Sequence, residues 1–195
     1  MDLWGRNRMD ELARQAAFRR DVVPHLDAAY NLARWLLRNG SDAEDVTQEA
    51  SMRAYKALHG FRGGSIRAWF LKIVRNACYD LMKKNRQYVA SGIDDPIMHD
   101  MRVDVIFQVS DQLAANPEEL LLAEAERRHL QDCLEALPVE YREAVILREL
   151  EGLSYREISE HAGIPIGTVM SRISRGRSLL QKELLARERK ETLRG

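Results

Sequence analysis

The segment from Ser65 to Arg86 constrains the fold more than any other. Its apolar residues Ile66, Trp69, Phe70, Ile73, Val74, Ala77 and Leu81 recur every three or four positions, the spacing of one face of an α-helix. The same spacing returns at Leu26, Ala29, Tyr30, Ala33, Leu36 and Leu37. Alternation of apolar and polar residues never persists, so no strand is expected. The prediction is an all-α chain. Its 195 residues leave room for one large domain or two small ones. A hydrophobic fraction of 45% is enough to build packed cores.

Charge suggests where the chain divides. Residues 1–90 hold 16 Lys and Arg against 10 Asp and Glu, residues 91–126 hold 1 against 9, and residues 127–195 hold 13 against 11. The net charge of zero therefore hides an acidic middle between two basic blocks. Periodicity also fails over 87–117, where Asp94, Asp95, Asp100, Asp104 and Asp111 accompany Gly92, Pro96 and Pro117. Two small helical domains are expected, at 15–88 and 120–187, joined by a flexible acidic linker at 89–119. Val103, Val105, Ile106, Phe107 and Val109 form an apolar patch in that linker, suited either to tucking onto a domain or to docking into a partner.

Local signals place the helices. Gly40 reads as a helix stop, and Ser41-Asp42-Ala43-Glu44 as a capping box opening a helix to about His59. Phe61-Arg62-Gly63-Gly64-Ser65 reads as a loop with Ser65 as the next N-cap. A helix to Leu137 is followed by Pro138 in the first turn of another, which carries Ala144, Val145, Leu147 and Leu150 and stops at Gly152. Two short helices and a basic tail complete the chain.

The sharpest functional unit is at 154–185. Ser154-Tyr155-Arg156-Glu157 is a capping box, Ile158 and Ala162 share an inner face, and Gly163 makes a tight turn. A second helix follows, anchored by Val169, Ile173 and Leu180. This is a helix-turn-helix, whose second helix enters the DNA major groove. Residues 167–182 contain Arg172, Arg175, Arg177 and Lys182 and no acid. Thr168, Ser171, Arg172 and Arg175 point outward together, with groups suited to guanine edges and phosphates. A solvated basic helix is the alternative, but such faces usually mix signs.

A second constellation lies on the helix at 65–86. Lys72, Arg75, Tyr79, Lys83 and Arg86 fall in one stripe opposite the apolar set, with Asn76 at its edge. Basic groups with an aromatic and an amide suit a nucleic-acid strand, including an unpaired one. A third is acidic: Asp42, Glu44, Asp45 and Glu49 crowd the start of a helix. The helix dipole accounts for two or three of these. Gln48 and Glu49 lie beyond it, so Asp45, Gln48, Glu49 and Met52 form a candidate face for a basic or helical partner.

Other classes find little support. The five histidines are scattered, and Cys78 and Cys133 have no partner at metal-ligand spacing. Gly63-Gly64 is not a phosphate loop. Neither catalytic residues nor a metal or cofactor is expected. No apolar run approaches the ~20 residues that span a bilayer, and the first residues lack a secretory h-region. Stable membrane insertion is not expected, and a reducing, cytoplasmic setting fits the cysteine usage.

These features in this order resemble bacterial RNA polymerase sigma factors of the extracytoplasmic-function (ECF) type, over nearly all of residues 20–187. Asp42-Ala43-Glu44-Asp45-Val46-Thr47-Gln48-Glu49 resembles the family's polymerase-binding helix. Phe61-Arg62-Gly63-Gly64-Ser65 with Trp69-Phe70-Leu71-Lys72-Ile73-Val74-Arg75-Asn76 and Asp80 resembles its −10 element reader. Leu137-Pro138, Arg142, the 154–163 helix and Gly167 to Arg175 resemble its −35 reader. Ser51, Met170 and Ser159 depart from the family pattern, which usually has an aromatic, a basic residue and Ala there.

The resemblance implies a transcription initiation factor that binds core RNA polymerase, directs it to promoter DNA and is held inactive by an anti-sigma factor. Asp42, Asp45, Gln48, Glu49 and Met52 would then bind polymerase. Arg62, Lys72, Arg75, Asn76, Tyr79 and Lys83 would bind the −10 element, and Thr168, Ser171, Arg172, Arg175 and Arg177 the −35 element. The alternative is a helix-turn-helix regulator with an N-terminal effector domain. A pure interaction protein working through the acidic helix is a third class, disfavoured by the basic helix 167–182.

Overall fold

The computed structural model describes residues 3–90 and 128–192. Among these there are helices and no strand. The first unit comprises α1 (Leu3–Asp21), a short 3-10 turn at Val23–His25, α2 (Leu26–Leu37), α3 (Gly40–Ala57) and α4 (Ile66–Ala90). The second comprises α5 (128–136), α6 (Val139–Val145) running into a π turn at Ile146–Leu150, α7 (Tyr155–Ala162) and α8 (Ile166–Thr192). The expected linker and its apolar patch lie outside the described residues.

In the first unit α2, α3 and α4 pack mutually. Leu32, Trp35 and Leu36 from α2 and Phe70, Leu71 and Val74 from α4 are buried. The inner face of α3 is made of Ala43, Val46, Ala50 and Ala54, small residues that admit close approach. Each buried Leu or Phe contributes about 2 kcal/mol of transfer free energy. Helix α1 was not legible in the sequence. It is held through Phe18, whose ring meets Tyr55 edge-on at 5.3 Å, and through Glu11, which accepts from the Tyr55 hydroxyl.

In the second unit α6 packs on α8 and α7 crosses it. Ala144, Val145, Ile146, Leu147, Ile158, Val169 and Ile173 form its centre. The two units pack against each other, α2 on α6 and α4 on α7. The Arg142 guanidinium crosses this boundary, donating to the carbonyls of Glu135 at 3.0 Å and Leu36 at 3.4 Å.

Four local expectations are corrected. Gly40 does not stop α2; Arg38 does, with φ 59°, and Gly40 opens α3. The α3 cap is Asn39, whose Oδ1 accepts from the N–H groups of Ser41 and Asp42, so Ser41 is already helical. Leu150 is not on an inner face but 42% exposed. The π turn, closed by Glu151 N–H to the Ile146 carbonyl at 3.0 Å, inserts one residue into the helical register and turns Glu151 inward instead. Finally, the second helix of the helix-turn-helix is not short: α8 is 27 residues long.

Candidate nucleic-acid interface

Helix α4 presents its apolar face to the first unit and its basic stripe to the second. Ser65 Oγ caps it, accepting from Ala68 N–H at 3.1 Å. The loop before it turns through Gly63 and Gly64, with φ 95° and 96°, a conformation that only glycine adopts without strain. Phe61 at the loop's base lies against Trp69, ring centroids 5.4 Å apart. Trp69 and the buried Phe70 thus support the loop from the core side.

Along the stripe, Arg62, Lys72, Asn76 and Lys83 are exposed, and Arg75 and Tyr79 are half-buried. The Arg75 guanidinium lies over the Tyr79 ring at 4.3 Å, and both side chains end on one carboxylate of the second unit. Arg75 Nε donates to Glu143 Oε1, and the Tyr79 hydroxyl donates to Glu143 Oε2 at 2.8 Å. Burial and the Glu143 charge push the Tyr79 phenol well above its ordinary range. Lys72 Nζ donates to the Glu160 carbonyl at 2.6 Å. A cleft of about 300 Å³ separates the 60–65 loop and Lys72 from Glu157, Glu160 and His161 of α7.

The helix-turn-helix has the expected local form. Ser154 caps α7 in a reciprocal capping box with Glu157. Gly163 makes the turn at φ 67°. Val169 and Ile173 are buried, while Ser171 and Arg175 are exposed on the other side. Thr168 and Arg172 are half-buried, and the charge of Arg172 reaches Tyr79 of α4. Ser171 Oγ donates to the Thr168 carbonyl at 2.9 Å. Arg177 is held in an exposed pair by Glu149, Nε to Oε1 at 3.0 Å.

The acidic face of α3 is open. Asp45, Gln48, Glu49 and Met52 are exposed, and Asp42 is half-buried, its carboxyl pushed up by burial and by Asp45. Glu49 pairs with Arg53 at 2.6 Å one turn on. The structure therefore gathers the α3 residues on one surface, the α4 residues on a second, and the α8 residues on a third.

Two family models match the two units. The Sigma-70 region 2 model matches residues 22–88 and the Sigma-70 region 4 model residues 127–180. The ECF RNA polymerase sigma-E factor of Escherichia coli is 35% identical over 174 residues, 87% of each chain. The chain belongs to the ECF RNA polymerase sigma factors. ECF RNA polymerase sigma factor SigE of Mycolicibacterium smegmatis is 34% identical over 94% of this chain. The chain spans 63% of that relative's length.

Among solved structures, the sigma factor RpoE from Bartonella quintana, crystallised with the anti-sigma factor NepR, is similar at TM-score 0.66. It shares 27% identity over 86% of this chain and 96% of that one. CnrH, solved with the cytosolic domain of CnrY, shares the fold at TM-score 0.58 and 24% identity, over 88% of this chain and 90% of that one.

Two of the three departures from the ECF pattern, Ser159 and Ser51, make local hydrogen bonds. Ser159 Oγ donates to the Ile164 carbonyl at 2.6 Å, tying the end of α7 to the turn. Ser51 Oγ donates back to the Thr47 carbonyl at 2.7 Å. Met170 is 52% exposed on α8. What the sequence did not disclose is Glu143. It lies in an amphipathic helix like any other acid, yet it is 2% exposed and receives two groups of the α4 stripe.

Proposed function

We propose that this sigma factor binds core RNA polymerase through α3 and selects promoters through α4 and α8. Asp42, Asp45, Gln48, Glu49 and Met52 contact polymerase. The unit at 15–88 engages the −10 element with the 61–65 loop, Arg62, Lys72, Arg75, Asn76, Tyr79 and Lys83. The unit at 120–187 reads the −35 element with Thr168, Ser171, Arg172, Arg175 and Arg177. The protein carries no catalysis of its own and needs no cofactor; the polymerase makes the RNA.

The observation that carries this reading is the coexistence of one acidic and two basic surfaces in one chain. An open acidic helix face suits a protein partner, whereas the two basic surfaces suit DNA. Likeness to a chain solved with an anti-sigma factor supports control by a partner of that kind. The setting is the bacterial cytoplasm; no described helix is long and apolar enough to cross a membrane.

The test is transcription in vitro with purified core polymerase on a promoter library. Initiation from a defined promoter class, absent without the protein, is the expected result. Tight duplex binding by the protein alone, with no polymerase-dependent initiation, would point to a helix-turn-helix regulator instead.

A further inference from the structure

Over residues 167–175 of α8, two long side chains are exposed, and only one of them is charged. They are Met170 and Arg175. The other exposed positions there, Gly167, Ser171 and Ser174, are small. Ser171 Oγ already donates to the Thr168 carbonyl at 2.9 Å, so that hydroxyl has a partner within the helix. At ~100° per residue, the three small residues fall between Met170 and Arg175 around the helix. Ile166, one turn before Met170, is 46% exposed; residues four apart lie on one side of a helix.

Core packing does not account for a methionine that is half in solvent. The ECF pattern usually has a basic residue at this position, which would add a phosphate contact. Met170 forgoes that contact in a stretch, 167–182, that otherwise carries four bases and no acid. What an apolar side chain can recognise in the major groove is narrow. Base edges there offer hydrogen-bonding groups and one apolar feature, the C5-methyl of thymine. Methionine donates no hydrogen bond and its sulfur accepts only weakly, whereas its unbranched thioether fills irregular apolar gaps well.

We propose that Met170 reads thymine: its thioether, backed by Ile166, packs on a thymine methyl of the −35 element beside the bases that Arg175 reads. The inference rests on the assignment of α8 to that element. The low surface of Gly167, Ser171 and Ser174 lets the helix settle close to the base edges, within reach of both long side chains. Met170 then adds selectivity without adding charge. Its loss alters base preference and leaves the salt dependence of binding unchanged, the reverse of losing a phosphate contact.

The test uses the full chain assembled with core polymerase, with circular dichroism as a folding check on each variant. A promoter library randomised over the −35 element gives the preferred sequence. Each thymine in it is then replaced by uracil, which removes the methyl and nothing else. One such replacement is expected to lower the parental affinity about fourfold, the transfer free energy of one methyl group. The same replacement should change affinity by less than about 1.5-fold in Met170→Ala, since coupling between the two sites is then gone. Met170→Lys should lose the thymine preference and steepen the log–log salt slope by about one. A preferred element without thymine, or equal uracil effects in parent and Met170→Ala, overturns the proposal. Uniform weakening of all promoters in Met170→Ala also overturns it and points to a protein contact. Arg175→Ala separates this inference from the reading beneath it. Changed preference there with none in Met170→Ala removes Met170 alone; unchanged preference in both removes α8 from the −35 element.

Discussion

Gly176 of α8 lies flush against Val145 of α6: a Cβ at position 176 would fall 2.6 Å from Val145 Cγ2 and 3.1 Å from the Tyr141 carbonyl. This contact sets how closely the reading helix sits on its support. Replacing a mid-helix glycine by alanine gains about 1 kcal/mol in helix propensity. Overpacking costs about 1–3 kcal/mol, and here one neighbour is backbone. Gly176→Ala is therefore expected to lower stability by up to about 2 kcal/mol net, seen as a lower midpoint in urea. A raised midpoint would mean that α6 yields freely.

His161 makes the packing of the two units sensitive to acid. Its ring is buried between α7 and α4, and burial, with the charges of Arg75 and Lys72, holds its pKa down to about 3. Glu143 Oε1, 3.8 Å away, is the opposing charge. An opened His161 takes up a proton near its ordinary pKa of 6.5, whereas the closed one does not. Closure is thus unaffected above that pH and weakens as pH falls below it. From pH 7 to 5.5 the loss is about 1.3 kcal/mol. The distance between fluorophores on Lys56→Cys and Lys182→Cys, exposed positions of the two units, should widen over this range, and His161→Gln should remove the widening, since burial raises the Glu151 carboxyl at the same contact and works in the opposite direction. An equal slope in that variant would exclude His161 as the source.

On α3, Asp45, Gln48 and Glu49 carry no packing role. The triple alanine variant forfeits the exposed Glu49–Arg53 pair, which is worth only about 0.3–0.5 kcal/mol. Its melting profile should stay close to that of the parent while association with core polymerase falls at least tenfold. Normal association, measured by co-elution or fluorescence anisotropy, would reduce the acidic face to ordinary solvated surface.

On α8, Arg172 and Arg175 should govern the upstream promoter element. Each alanine variant is expected to lose about 1–3 kcal/mol at its cognate site if the arginine reads a base. At least one should relax preference at a single base pair in a promoter-library selection. Lys182→Ala, two turns further along, should have a smaller and sequence-blind effect. Wild-type preference in both arginine variants would assign base reading to another surface.

The parts legible in the sequence are those written within one helical turn of each other. The α4 faces, the Ser154 capping box and the Gly163 turn follow from spacings of three and four. Asn39 took the α3 cap from Ser41 because its Oδ1 accepts from two N–H groups, a competition between neighbours that spacing does not rank. The acidic and basic surfaces were legible as charge. The contact of Arg75 with Glu143 was not, because the two are 68 positions apart and nothing near Glu143 marks it as buried. The π turn likewise depends on tertiary packing, so the helical period assigned Leu150 to the wrong side.

Sharing one carboxylate between Arg75 and Tyr79 gives these positions an epistatic relationship. If Arg75 contacts DNA as proposed, truncating it removes that cation and also frees Glu143 from one of its two partners, and the two changes would push measured affinity in opposite directions. Near-normal binding by such a variant would be a cancellation, not the sign of an idle side chain. Only a double-mutant cycle with position 143 separates the two contributions. In a genetic screen, second-site changes at 143 should alter the phenotype of Arg75 variants more than that of Arg175 variants, whose side chain is exposed on α8.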